Sequence, residues 1–179
     1  MAMPDRSALL AVEDEEARRL IVHEQLGKPL ERCRELLFAA LGDSSWRVRK
    51  EAVEVLVASR PGREDCAVLI ELLRDEDNAG LRNAAVELLV RLGKRVVPSL
   101  MAHLHDPDHD LRKMVVDALA ASGDRSALPG LVVALADSDI NVAAAAAEAL
   151  GASGDHSVVP ALLQALEQQP HYFFRFNVL

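Results

Sequence analysis

Aromatic side chains are scarce here: they make up 3% of 179 residues, with one Trp, one Tyr and four Phe. A protein that holds single-stranded nucleic acid stacks bases on such rings and neutralises phosphates with Lys and Arg. In this chain 20 Lys and Arg stand against 28 Asp and Glu, a net charge of −8, and the arginines are spread along the chain rather than gathered. Nucleic acid is therefore excluded as a partner. Cysteine is nearly absent too. Cys33 and Cys66 form no C-x-x-C pair and cannot make a framework, so they are expected to be unpaired thiols in a reducing compartment. No apolar run approaches the ~18 to 20 residues of a membrane helix, and the opening MAMPDRSALL lacks the basic start and apolar body of a signal peptide. The expected location is cytoplasmic, with no membrane partner. G-x-S-x-G, Walker, H-E-x-x-H and G-x-G-x-x-G motifs are missing, so no catalytic residue and no cofactor is expected.

What is present is Ala, Leu and Val in a recurring pattern. Apolar residues make up 50% of the chain and charged residues 27%, enough for a packed helical core and too apolar for a disordered chain. The stretch from Asp106 to Ala136, DPDHDLRKMVVDALAASGDRSALPGLVVALA, shows the unit most clearly. Asp108 is placed to accept from the unpaired N–H groups of a first helical turn, and Leu111, Val115, Ala118 and Leu119 follow at helical spacing. Ser122-Gly123-Asp124 ends this helix A, because glycine tolerates the left-handed conformation of a helix terminus. Pro129 stands near the start of helix B, where a missing N–H costs little, and Leu131, Val132 and Leu135 give that helix its apolar residues. Two such short helices cannot bury their faces alone, so copies must stack.

The copies are in register. Leu69, Leu100, Leu131 and Leu162 are each 31 apart, as are Leu73, Leu104, Leu135 and Leu166, while Leu37 and Leu41 extend both series upstream at a spacing of 32. In helix A the apolar positions Ala17, Val48, Leu81, Leu111, Val142 and Phe174 are followed by Arg18, Arg49, Arg82, Arg112, Ala143 and Arg175. Pro98, Pro129 and Pro160 mark the later B helices. At these residues the sequence resembles the HEAT-like repeat family, in particular the short bacterial form named after phycobilisome lyases. Asp75-Glu76-Asp77, Asp106-Pro107-Asp108 and Asp137-Ser138-Asp139 match its D-x-D turn, and Val97-Pro98-Ser99-Leu100 and Val159-Pro160-Ala161-Leu162 match its second helix.

The resemblance implies an all-α fold, a right-handed α-α superhelix: a HEAT-like solenoid of about five helical hairpins plus a C-terminal half repeat. It is expected to be a single domain over 1–179, with a degenerate N-terminal repeat at 13–42, repeats at 43–74, 75–105, 106–136 and 137–167, and an incomplete repeat at 168–179. Some HEAT-like proteins are DNA glycosylases, but those need a basic concave face with aromatic contacts. Deoxyhypusine hydroxylase, also built of such repeats, binds a di-iron centre with several His-Glu pairs; this chain has the single pair His23-Glu24.

Other candidates have plainer readings. Trp46, in the first turn of a helix A, is expected to cover a helix junction. His103, His105, Asp106, Asp108 and His109 are the one local cluster of possible metal ligands, but His103 and His105 face different ways on a helix and the aspartates belong to the turn, so no metal site is expected. Asp108 and Arg112, like Asp14 and Arg18, are four apart and can pair locally or across neighbouring repeats, as an exposed ladder contributing ~0.2 to 1 kcal/mol a rung.

The remaining candidate is a surface. In HEAT-like solenoids helix B lines the concave side, and its outward positions by phase are Val68, Glu71 and Leu72; Ser99, Ala102 and His103; Gly130, Val133 and Ala134; Ala161, Gln164 and Ala165. That mostly small, apolar row suits an amphipathic helix or extended peptide, with Glu71, His103 and Gln164 setting specificity. The expected function is a non-catalytic scaffold that binds another protein or peptide there; the alternative is a phycobilin lyase-like, chromophore-handling role. Tyr172, Phe173 and Phe176, in a half repeat with an apolar face, point to a truncated solenoid or to end-to-end self-association.

Overall fold

The computed structural model of the chain describes Leu9 and residues 11–168. Among these residues there are ten α-helices joined by turns, several of them 3-10 helical, and no strand. In chain order they are α1 (Glu15–His23), α2 (Arg34–Ala40), α3 (Trp46–Ser59), α4 (Arg63–Glu71), α5 (Ala79–Leu92), α6 (Val97–Ala102), α7 (His109–Ala121), α8 (Leu128–Ala134), α9 (Ile140–Ala152) and α10 (Val159–Gln168). The odd-numbered helices are the A helices and the even-numbered the B helices of the repeats, which makes the chain an α-α solenoid. No helix among the described residues is long and apolar enough to cross a membrane. The half repeat at 168–179 and its aromatic residues Tyr172, Phe173 and Phe176 lie outside the described residues, apart from Gln168.

The chain divides into two compact units, Met1–Leu92 and Gly93–Leu179. In the first, α3 packs against α1 and α5, with α2 wedged against α3 and α4 against α5. In the second, α7 packs against α9, with α6 against α7 and α8 against both α7 and α9. Within each unit the A helices thus stack on one another, and a B helix leans on the A helix that follows it. Leu37, Leu69, Leu100 and Leu131 of the periodic series are all buried, as are Leu41, Leu73, Leu104 and Leu135.

The turns explain the D-x-D motif. Its second residue is the helix N-cap: Asp108 Oδ1 accepts from the N–H groups of Asp110 and Leu111 at 2.9 and 3.3 Å, and Asp139 Oδ1 from those of Asn141 and Val142 at 2.8 and 3.3 Å. Its first residue shapes the approach, since Asp106 and Asp137 accept from the N–H groups of Asp108 and Asp139 at 3.0 and 2.8 Å. In the turn at Asp43, Ser45 takes the second place and caps α3 with its hydroxyl; Asp75-Glu76-Asp77 departs from the rule, since Asn78, one residue after the second aspartate, caps α5 with its amide oxygen. Such caps contribute about 1 kcal/mol each. At the other end of α7 and α9, Gly123 and Gly154 have φ of 62 and 65°, and the aspartate after each accepts from the N–H two residues on to start the next 3-10 turn.

Both cysteines lie in the first unit and are 1% exposed. Burial pushes the Cys33 thiol up from its ordinary range, against a smaller opposing pull from Lys28. A thiol with little thiolate and no access is slow to react. Both cysteines are therefore expected to resist an aromatic disulfide reagent in the native chain and to titrate fully in denaturant; rapid native labelling of either would contradict this packing.

Candidate functional site

The B helices carry the surface row, but only part of it faces outward. Along the second unit Ala102 in α6, Val133 in α8 and Gln164 in α10 recur at the repeat spacing, and all three are exposed, Val133 at 51%. Beside them Leu163 is exposed at 57%. In the first unit Glu71 is exposed and Leu72 half-buried, with Val68 exposed nearby. Glu71 accepts from Arg74 Nε at 2.8 Å, and the ring Nδ1 of half-buried His103 lies 2.8 Å from the Ser99 carbonyl. Gln164 has no hydrogen-bond partner among the described residues. Of the three residues expected to set specificity, its amide is the one left open.

Ser99 and Ala134 do not belong to the surface; each is 4% exposed. Ala134 follows Leu131 by three positions and so shares its buried stripe, and Ser99 follows Val96 in the same way. The position of Ser99 in the next repeat is Gly130, where an added Cβ would come within 3.0 Å of Leu104 Cδ1 and 3.3 Å of Met101 Cγ. The missing side chain at Gly130 lets α8 approach α6, so the small size there is a packing requirement rather than a feature of a binding groove.

A shallow groove of about 320 Å³ remains between α8 and α10, lined by Val132, Leu135, Ala161, Gln164, Ala165 and Gln168. Its walls are aliphatic and its polar groups are two carboxamides. A second cleft, of about 280 Å³, opens at the hairpin turns of the same two repeats, with Leu119, Leu128 and Leu131 below Asp124, Arg125 and Asp155. Here the polar groups already serve the fold: Arg125 donates to Asp155 Oδ2 at 3.1 and 2.7 Å, and each aspartate caps its turn. Hydrogen bonds from Ser126 and Ser157 hold the Asp124 and Asp155 carboxyls below their usual range.

The arginine row pairs across repeats and is not an exposed ladder. Arg112 donates from Nε and Nη2 to the two carboxylate oxygens of Asp137, both at 2.7 Å, and from Nη1 to the carbonyls of Asp106 and Pro107 at 2.8 and 3.3 Å. Arg18 repeats this with Asp43 at 2.8 and 3.0 Å and with the carbonyls of Val12 and Glu13. Side-chain exposure is 10% and 8% in the first pair and 13% and 7% in the second, so these are buried clamps. The local alternative fails because Asp108 and Asp14 are occupied as caps. Where Ala143 replaces the arginine, the residue at the aspartate's spacing is Gln168: both partners are missing together.

The remaining candidates have structural partners. His23 Nδ1 lies 2.7 Å from Glu51 Oε1 in an exposed network with Arg19 and Glu16. No group of three or more potential ligands converges among the described residues, at His103, His105 and His109 or elsewhere. Trp46 does not cover a junction: it is 61% exposed, with the Arg47 guanidinium 5.5 Å from its ring centroid.

No curated protein matches the chain. Among solved structures, the complex of CpcE and CpcF of phycocyanin lyase from Nostoc sp. PCC7120 contains a chain that is 27% identical, with a TM-score of 0.48, over 80% of this chain and 61% of that one. This chain thus spans 61% of the length of that relative. Two engineered proteins are each 21% identical over 97% of this chain, with TM-scores of 0.45 and 0.44, and are themselves covered over 92% and 55%. A family model for HEAT repeats matches residues 4–90 and again 97–178. Matched along nearly its whole length, and built of stacked hairpins with capped turns, the chain belongs to the HEAT repeat family.

Proposed function

We propose that the chain is a non-catalytic interaction scaffold, which binds a polypeptide on the B-helix face of its second unit. The observation that carries this reading is the exposed row Ala102, Val133 and Gln164 beside the aliphatic groove between α8 and α10. An amphipathic helix or extended segment laid over that groove would bury Val133 and Leu163 and give the Gln164 amide a partner. Burying an aliphatic side chain of this size is worth about 1.5 to 3 kcal/mol, so two or three such contacts decide the affinity. Glu71 and His103, already engaged within the fold, contribute less to recognition in this reading.

The test is capture from a lysate of the source cell with the wild-type chain and with an Ala102→Glu, Val133→Glu double variant. Both positions are exposed, so circular dichroism should show the helices unchanged. A partner retained by the wild type and lost, by about tenfold or more, from the double variant is the expected result. The same partners on both baits would place the binding surface elsewhere. A chromophore-handling role is separated in the same preparation by titration with a linear tetrapyrrole, which would develop a shifted visible band if the solenoid holds pigment.

A further inference from the structure

Three arginines of the repeating row can be compared within the two units, and the structure closes two with a carboxylate and leaves the third open. Arg18 and Arg112 give Nη1 to carbonyls of their own turn and Nε and Nη2 to an aspartate of the following turn. Arg49 makes only the first half of this arrangement. Its Nη1 donates to the carbonyls of Asp43 and Ser44 at 2.7 and 3.0 Å, while Nε and Nη2 have no acceptor among the described residues. The aspartate that would complete it, Asp75, comes one position later than in the other two rungs, because the turn through Ser59 to Gly62 is longer. Asp75 Oδ1 instead accepts from the N–H groups of Asp77 and Asn78. The link between turns is made by Asn78, whose Nδ2 donates to the Gly42 carbonyl at 3.1 Å.

The open fork sits inside a cleft. The guanidinium lies over Gly80, where an added Cβ would come within 2.9 Å of Arg49 Cζ. The cleft, about 260 Å³, runs between α3 and α5, with Trp46 and Lys50 on one side and Asn83 on the other. Lys50 has no hydrogen-bond partner among the described residues. Glu87, the one acid lining the cleft, stands two helical turns beyond Gly80, roughly 10 Å along α5, and lies 3.8 Å from Arg91. Two parallel N–H donors and an exposed indole therefore meet at one place with no carboxylate on the fork, beside a Lys50 ammonium whose charge acts on Glu54 one turn further along α3.

We infer that this cleft binds a carboxylate side chain of a partner polypeptide, held by Arg49 Nε and Nη2, with Lys50 and the Trp46 ring beside it. A guanidinium fork matches a carboxylate in geometry and takes it bidentately. Carboxylate is the occupant because the same fork, with the same two backbone anchors, holds an aspartate twice in this chain. The site lies on A helices of the first unit and does not depend on the B-helix groove of the second.

The test uses the full chain labelled with 15N and the acetylated, amidated peptide Ala-Asp-Ser-Asp-Ile, a copy of residues 136–140 that close the Arg112 clamp. Its partners are the same peptide with both aspartates changed to asparagine, and inorganic phosphate. The readouts are the Arg49 Nε–H resonance and the fluorescence of Trp46, the one tryptophan of the chain. The acidic peptide should move both signals saturably, and the asparagine peptide should bind about tenfold more weakly. Arg49→Lys, which keeps the charge and loses the fork, and Gly80→Ala, which displaces the guanidinium, should each weaken binding about tenfold, and Lys50→Gln about threefold. Circular dichroism checks that each variant keeps its helices. The inference is overturned by no saturable shift at millimolar acidic peptide, by equal binding of the two peptides, or by full affinity in both Arg49→Lys and Gly80→Ala. Tighter binding of phosphate than of the acidic peptide would also overturn it, in favour of a phosphate site.

Discussion

Replacing Arg112 by Ala is expected to destabilise the second unit by roughly 3 kcal/mol, the lower end of the cost of breaking a buried ion pair. Arg112 is 8% exposed, and its removal takes two of its three donors from the Asp137 carboxylate, leaving the Asp139 N–H, and removes the donor shared by the carbonyls of Asp106 and Pro107. The lower end applies because the freed carbonyls belong to a turn that water can reach. For a chain of this length the thermal midpoint should fall by roughly 6 to 12 °C. Lys113→Ala, which removes a half-exposed pair with Asp117 at 2.6 Å, should cost less than ~0.5 kcal/mol. The Arg112→Ala, Asp137→Ala double variant should recover part of the loss, because it no longer buries an unpaired charge. A double variant as unstable as the sum of the singles would show that the two residues act independently, and the clamp would have to be abandoned.

The same clamp predicts a pH dependence. Burial alone would push the Asp137 carboxyl up, but hydrogen bonds from Arg112 and the Asp139 N–H outweigh it and hold the group below its usual range. A carboxylate depressed in the folded state contributes stability that is fully present above its unfolded pKa, near 4, and is lost as pH falls through the folded value. Urea midpoints measured from pH 6 down to pH 2 should therefore drop below about pH 4 in the wild type. In Arg112→Ala that part of the slope should shrink.

These residues also show what the sequence could and could not convey. Asp108 as a cap, Pro129 and Pro160 at helix starts and the buried leucine series all follow from local chemistry and a fixed period, and the structure places each as expected. The partner of Arg112 did not follow, because spacing allowed both Asp108 and Asp137. Only the geometry of the cap, which turns Asp108 toward its own helix, decides between them. Ser99 and Ala134 were misplaced because α6 and α8 span fewer than two full turns. In so short a helix one residue of phase separates core from surface, at about 100° a step. The open fork of Arg49 goes with a different turn between repeats, in which Asp75 accepts from the N–H groups of Asp77 and Asn78 and the Asn78 amide donates to the Gly42 carbonyl, an arrangement that periodic spacing does not convey.

Leu56→Ala is expected to cost about 3 to 4 kcal/mol, in the upper part of the range for deleting buried methyl groups from a core leucine. Leu56 is 0% exposed in α3, the helix that packs against α1, α2 and α5. Neighbours on three sides are themselves held by their stacking partners and cannot collapse into the space, so most of the cavity should persist. Val57→Ala, at the adjacent half-buried position, should cost no more than ~1 kcal/mol and serves as the comparison. Because a solenoid repeat gains its stability from its immediate neighbours, the damage should spread unevenly. Amide exchange in Leu56→Ala should lose protection first in α1, α3 and α5, while α7 and α9 of the other compact unit keep theirs. A uniform loss over all ten helices would instead mean that the two units open as one cooperative block, and stability would then have to be assigned to the chain as a whole rather than hairpin by hairpin.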